Sequence, residues 1–382
     1  MEIKRDSSWF IVEEVSENGK LWKTNYGILE KIRDKIFLLR NKNRKAKFLH
    51  ATLVKNNIST LDAVKYIASK LHKGIKQIGF AGNKDKRAIT SQRISIKNVD
   101  VNKVMIKHKN FFLKNFSIED GPLSIGMLKG NRFKIKVCLD EKEKEIFENN
   151  LESLLRGRLK VLNYFDEQRF GKARNNHIIG KEIMKKNYEE AVRLILCSYG
   201  NMENEKIKEI KRFIRDNWGD FKVIREKIRE KRYKKIRPKI LNEIKIINTL
   251  VDKKDYLEAL KRLKKKDLLI YIHAYQSYLF NHLLREVKER RIEIDKLPII
   301  GYETDIEKYK VKEIIKEIMR KEGISKEDFK IPALNIFERG TERNAIVNIQ
   351  NLKVKKEGNF YNLSFFLPKG SYGTMVLKFL SV

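Results

Sequence analysis

Ile75-Lys-Gln-Ile-Gly-Phe-Ala-Gly-Asn-Lys-Asp-Lys-Arg-Ala-Ile-Thr-Ser-Gln-Arg-Ile-Ser-Ile96 is the stretch whose reading decides the fold. The apolar pacing of 75–80 reads as a strand. Residues 89–96 read as another, with Thr90, Gln92, Ile94 and Ile96 alternating against Ser91, Arg93 and Ser95. Between the two lies a polar turn with one acid, Asp85, among Lys84, Lys86 and Arg87. Positive neighbours favour a carboxylate over its acid. An ionised carboxylate on a loop between strands can serve as a nucleophile or a base. Asp is also an ordinary residue of solvated hairpin turns, so on these residues alone both readings stand. Asn83-Lys84-Asp85 lacks the spacer of the guanine-reading Asn-Lys-x-Asp, and the chain has no Gly-x-x-x-x-Gly-Lys-Ser/Thr loop.

The 382 residues suffice for two domains and a large core. Lys and Arg number 85 against 50 Asp and Glu, a net charge of +35. So basic a chain points to a polyanion, with nucleic acid as the first expectation. No apolar run approaches the roughly 20 residues that span a bilayer. The first residues lack the apolar core of a signal peptide. Cys138 and Cys197 lie far apart, without Cys-x-x-Cys, and the six histidines show no ligand spacing. A cytoplasmic protein without metal or membrane partner is expected.

Outward from the opening stretch, 9–15 reads as a first strand and Ile36 to Leu39 as a second. Ser59 caps a helix with Asp62 at its third position; Leu61, Val64, Ile67, Ala68 and Leu71 form its stripe, and Gly74 ends it. In 132–139, Phe133, Ile135, Val137 and Leu139 share one face of a half-buried strand. Asp140 opens a helix to Leu155 with Ile146, Phe147, Leu151, Leu154 and Leu155 inward. Dense Lys/Arg/Glu helices follow. The runs 225–238 and 261–266 suit either a solvated helix face or RNA backbone contact, with Tyr233 available for stacking. Two strands, 346–354 and 360–367, then flank a Lys-Glu-Gly-Asn turn as a hairpin, and a terminal helix closes the chain.

Several segments resemble, in order, the motifs of the TruD family of tRNA pseudouridine synthases. Phe80-Ala-Gly-Asn-Lys-Asp-Lys-Arg-Ala-Ile-Thr-Ser-Gln92 is similar to its signature. Residues 4–14 resemble its Asp-Phe-x-Val-x-Glu element, with Phe10 and Glu14 matching and Trp9 in place of Asp. Gly130-Asn131-Arg132-Phe133 matches Gly-Asn-x-Phe. Asn163-Tyr-Phe-Asp-Glu-Gln-Arg-Phe-Gly171 matches Asn-Tyr-Phe-Gly-x-Gln-Arg-Phe-Gly, with Asp166 where Gly is common. Residues 274–281 match Ala-x-x-Ser-x-Leu-Phe-Asn, and Leu367-Pro-Lys-Gly-Ser-Tyr372 matches the closing motif.

The resemblance implies an α+β (mixed α/β) fold. Its catalytic domain is discontinuous, 1–162 and 336–382, with an antiparallel-rich sheet interrupted by an inserted α/β domain, 163–335. It implies isomerisation of a uridine in tRNA, usually position 13, to pseudouridine without a cofactor. Asp85 is then the nucleophile at C1′ or C6. Phe133 stacks on the uracil, Asn131 braces the loop, Lys4 stands opposite the carboxylate, and Phe10 and Lys84 complete the substrate site. Two other classes stay open: a catalytically silent RNA-binding or chaperone protein, and a different RNA-modifying enzyme. A methyltransferase needs a Gly-rich cofactor loop, and Gly-x-Gly-x-x-Gly is absent.

Overall fold

The computed structural model describes residues 6–157 and 159–381. In chain order come β1 (Phe10–Val15), α1 (Ile28–Arg40), β2 (Lys45–Asn56), α2 (Thr60–Lys70), β3 (Ile78–Phe80), β4 (Ile89–Asp100), β5 (Phe111–Ile118), β6 (Gly130–Cys138) and α3 (Glu141–Leu155). Next are α4 (Asn176–Met184), α5 (Tyr188–Cys197), α6 (Glu205–Asp216), α7 (Phe221–Arg229), α8 (Leu241–Lys253), α9 (Tyr256–Lys261), α10 (Lys265–Glu289), β7 (Lys296–Ile299) and α11 (Lys312–Glu322). The short strands β8 (Lys330–Ile331), β9 (Ile336–Phe337) and β10 (Thr341–Asn344) lead to β11 (Gln350–Glu357), β12 (Phe360–Pro368) and α12 (Gly373–Leu380). Two units form, 1–161 with 347–382, and 162–346. Residues 336–346, read from the sequence as part of the first unit, belong to the second. There β9 pairs with β8, and β10 with β7.

The first unit carries one sheet in the order β11-β12-β6-β1-β4-β2-β5, with β3 also on β4. Every described pairing in it is antiparallel except β1 with β4. Two apolar clusters lie on it. One joins Phe10, Val12, Phe133 and Phe365 to Phe147 of α3 and Val376, Leu377 and Leu380 of α12. The other joins Leu49, Leu53, Ile94 and Ile96 to Val64, Ile67 and Ala68 of α2. As expected, the Ser59 hydroxyl caps α2 by accepting from Asp62 N at 3.0 Å. Leu61, Ile146 and Leu155, expected inward, are exposed; Ala63 takes the buried position on α2. The chain leaves α2 through His72 with φ 52°, before Gly74.

Ile36 to Leu39 is not a strand but the end of α1. A four-residue apolar run fits strand and helix alike; in α1 it turns Phe37 and Leu38 inward and Ile36 and Leu39 outward. The strand that the sequence hid is β2, paired along its length with β4 and β5. A central strand covered on both faces shows no alternation. The second unit is built mainly of helices. In it Tyr233 is 0% exposed and cannot stack on RNA, and much of the run around it is spent internally. Arg225 and Arg229 pair with Glu226, Lys227 and Arg232 with Glu230, and Arg237 binds the carbonyls of Ile228, Arg229 and Glu230.

α1 is held on the edge strand β5 by few groups. Phe37 stacks on Phe116 at 6.3 Å. Buried Asp34 accepts from Tyr26 OH at 2.6 Å and from the backbone N–H of Asn115 and Phe116 at 2.7 and 3.1 Å. Its carboxylate thereby occupies edge donors that would otherwise invite another strand. Asp34→Ala leaves both N–H groups without their acceptor. It should cost about 2–4 kcal/mol, read as a lower urea midpoint; a loss below about 0.5 kcal/mol, the size of an ordinary surface change, would mean that water replaces the carboxylate.

Candidate active site

The turn between β3 and β4 is not a tight hairpin, because another strand occupies its place. β3 reaches only from Ile78, opposite Ile96, to Phe80, opposite Ile94. Beside Ile89–Ser91 the sheet position is taken by Ile11–Glu13 of β1. Residues 81–88 must therefore leave the plane of the sheet. Register then decides what lies beneath them. Side chains directly opposite one another across a sheet share a face. Phe365, Phe133, Val12, Thr90 and Lys55 form one such row through successive pairings. Leu367, Asn131 and Glu14 stand in the next row on that face, in line with Gln92. A polar seam of Glu14, Thr90, Gln92 and Lys55 thus runs between the two apolar clusters.

The loop is tied to this seam at successive residues. Gln92 Nε2 donates to Gly82 O at 3.0 Å, while its Oε1 accepts from Thr60 Oγ1 at 2.9 Å. Thr60 Oγ1 also accepts from Lys84 N at 3.1 Å. The Lys84 ammonium donates to Glu14 Oε2 at 2.8 Å, with side chains 5% and 1% exposed. The other oxygen of Glu14 accepts from Arg93 N at 2.9 Å. Lys55, 1% exposed, donates its ammonium to the carbonyl of Asp85 at 2.5 Å. Burial pushes the Lys55 amine down to about 8; Asp85 raises it and Lys84 lowers it further. Asp85 itself is half-buried at the end of the tied segment. A carboxylate on so restrained a backbone starts near one geometry, which is what nucleophilic attack requires.

The other expected residues are placed as follows. Phe133 is 6% exposed, stacked on Phe365 at 5.5 Å and met edge-on by Phe10 at 6.1 Å. A Cβ on Gly373 would stand 2.7 Å from the Phe133 ring, so a glycine must begin α12 there. Phe10 is 1% exposed and has no open face for a substrate. Asn131 Oδ1 is buried without a hydrogen-bond partner among the described residues, as is Thr90 Oγ1 nearby. Lys84 is turned to Glu14 rather than outward. Lys4 lies outside the described residues. Sequence reading missed Lys55, Thr60 and Gln92 as parts of the site. One signal was present: Thr90 and Gln92 share a strand face with Ile94 and Ile96, so that face turns from polar to apolar halfway along. Lys55, at the end of an apolar run, gave none. The opposite face is polar and also covered. Glu13 accepts from Thr24 N at 2.8 Å and pairs with Arg132, and Arg93 lies 4.3 Å from the Trp22 ring.

The family model described as tRNA pseudouridine synthase D (TruD) matches residues 1–297 and 287–380. "Probable tRNA pseudouridine synthase D 1" of Methanocaldococcus jannaschii is 34% identical over 391 residues, covering 98% of this chain and 94% of the relative. "Probable tRNA pseudouridine synthase D" of Nanoarchaeum equitans is 32% identical, with 100% and 98% covered. The Aquifex aeolicus "tRNA pseudouridine synthase D" is 31% identical, with 87% and 91% covered. The fold is similar to that of a Methanosarcina mazei protein whose crystal structure was solved under the name TruD. The TM-score is 0.70 at 24% identity, covering 100% of this chain and 93% of that one. Matched from end to end by the family model and by relatives at this level of identity, the chain belongs to the TruD family.

Proposed function

We propose that this protein is a tRNA pseudouridine synthase in which the Asp85 carboxylate is the nucleophile. The observation that carries this reading is the restraint of Gly82 to Asp85 by side chains from β1, β2, α2 and β4 in a chain of the TruD family. In the reaction the N1–C1′ bond of a uridine breaks, the uracil turns, and C5 bonds to C1′. C5 gives up its proton and N1 takes one. The sum is an isomerisation, balanced without a cofactor. Attack by the carboxylate at C1′ or at C6 satisfies the same balance.

Phe133 is the ring on which the uracil stacks, once the start of α12 above it has moved aside. Phe10 supports that ring from within the core. Asn131 Oδ1, buried without a donor among the described residues, accepts one when the loop and RNA close over it. Lys84 and Lys55 act on the loop, through Glu14 and through the Asp85 carbonyl. Lys4 is assigned by motif spacing alone, opposite the carboxylate. The net charge of +35 supports a polyanionic substrate, and the family points to uridine 13 of tRNA. Among the described residues no helix is long and apolar enough to cross a membrane; the tRNA substrate of the proposed reaction is what supports a cytoplasmic enzyme.

Asp85→Asn keeps the size and most of the hydrogen bonding of the side chain and removes the nucleophilic carboxylate. Single-turnover pseudouridine formation on a tRNA transcript should fall by on the order of 1,000-fold or more. tRNA affinity should hold, since it rests on distributed phosphate contacts. A folded variant that still converts uridine near the wild-type rate removes Asp85 from the mechanism.

Lys55 gives a second test through pH. Its amine is held near 8 in the fold against an ordinary value of 10.5. Between those values the unfolded chain binds the extra proton, so stability rises with pH. This contribution is complete above 10.5 and is lost as pH falls through about 8. Relative to Lys55→Met, whose other titrations are shared, wild type should gain about 3 kcal/mol across this window. Urea denaturation of both proteins at intervals across it measures the gain; a constant difference would show that Lys55 titrates normally.

A further inference from the structure

Two motifs of the second unit take no part in the chemistry proposed for Asp85: 163–171 and 274–281. They are clamped together. Asn281 Oδ1 accepts from Phe165 N at 2.8 Å, and its Nδ2 donates to Phe165 O at 3.0 Å. Arg169 Nε donates to Ser277 Oγ at 3.0 Å. Asp166, where the family commonly has Gly, sits at φ −75° and caps a single tight turn over Glu167–Phe170. Both segments are thereby fixed on α10. They line a cavity of about 410 Å³, within the range of about 300–1,000 Å³ usual for ligand pockets.

The lining has a definite chemistry. The His177 ring lies nearly parallel to Tyr278 at 4.8 Å, and Phe170 meets it edge-on at 5.2 Å. Burial pushes the His177 imidazole down and the Tyr164 phenol up, so at neutral pH both rings are uncharged. Two guanidinium groups also line the cavity. Arg174 pairs with Glu167 at 2.7 Å. Arg285 is exposed and makes no ion pair or hydrogen bond among the described residues. Neutral flat rings suit a nucleobase, and a guanidinium without a carboxylate suits its phosphate.

We propose that this cavity is a second nucleotide-binding subsite. It takes one unpaired nucleotide of the RNA substrate, its base against the Tyr164, Phe170, His177 and Tyr278 walls and its phosphate on Arg285. The subsite rests on the reading of the protein as a tRNA-modifying enzyme. It explains why residues remote in sequence from the Asp85 loop are clamped together: they fix a cluster of mutually packed rings as one wall for a guest.

The test uses the full-length protein and a tRNA transcript. Tyr278 is replaced by p-azidophenylalanine, a near-isostere, and the complex is irradiated. The expected result is attachment to one unpaired nucleotide. In a separate protein, Arg285→Gln should weaken tRNA binding several-fold. It should also flatten the log K against log salt slope by about 0.7–0.9, the share of one phosphate. Arg285 has no ion-pair or hydrogen-bond partner to lose among the described residues, so the fold should be untouched, and a melting curve checks this. A wild-type enzyme that makes pseudouridine, but whose azide variant attaches to no nucleotide or to scattered stem positions, overturns the subsite alone. An unchanged salt slope for Arg285→Gln does the same. A wild type that neither binds nor modifies tRNA overturns the parent reading instead.

Discussion

The ion pair between Lys84 and Glu14 is the interaction on which the placement of the proposed nucleophile depends. Its atoms are 2.8 Å apart and both side chains are almost wholly enclosed. Stripping two ions of water costs about what their attraction returns, so the pair adds little net stability. Its effect is on position. Lys84 cannot leave without stranding Glu14, and Glu14 is fixed in turn by Arg93 N. The residue after Lys84 is Asp85, whose own carbonyl is held by Lys55. The loop thus has tethers on both sides of its reactive residue, one from β1 and one from β2.

That arrangement follows from a single topological fact. β1 lies parallel to β4, in the place that the β3–β4 hairpin would otherwise fill. Antiparallel neighbours can be joined by a tight turn, whereas this loop must climb over a third strand. Once lifted, it meets whatever side chains the sheet presents there. The apolar clusters on either side exclude water, so the polar groups between them must satisfy one another. Most do. Among the described residues Thr90 Oγ1 and Asn131 Oδ1 do not. Buried polar atoms without partners are uncommon and call for a reason. Both stand on the face the loop crosses, where a substrate base is proposed to enter.

The ends of this construction were legible in sequence and its middle was not. Phe133 to Leu139 alternates because one face of β6 meets the core and the other does not, and the helix after Ser59 carries its cap in plain view. The charged turn at Asp85 stood out because two strand patterns bracket it. β2 showed nothing, since a strand buried on both faces loses the period that marks a strand. α1 misled for the opposite reason: Ile36 and Leu39 are apolar but exposed, and two acids, Asp34 and Glu30, help dock this helix on β5. A polar anchor inside and apolar residues outside invert the pattern on which periodicity depends. The seam is hidden in the same way. Glu14, Lys55 and Gln92 are surface types by composition, and only the register of β1, β2 and β4 brings them together indoors.

The charge of the chain needs the same care. A count of Lys and Arg marks 225–239 as the most basic stretch, yet several of its cations already have acidic or carbonyl partners. A cation held by a neighbouring Glu has few counterions left to release to RNA, and counterion release drives phosphate binding. Lys231, Lys234, Lys235 and Lys239 remain without ion pairs among the described residues. In the shorter run 261–266, Lys261 pairs with Glu258, while Arg262, Lys264, Lys265 and Lys266 form no ion pair among the described residues. The shorter run therefore offers phosphate as many unpaired cations in fewer residues. Arg285 carries the argument to a single group, because among the described residues it stands without an ion pair, beside uncharged rings. What a polyanion can use is set by which cations the fold leaves unmatched, and the fold matches them helix by helix.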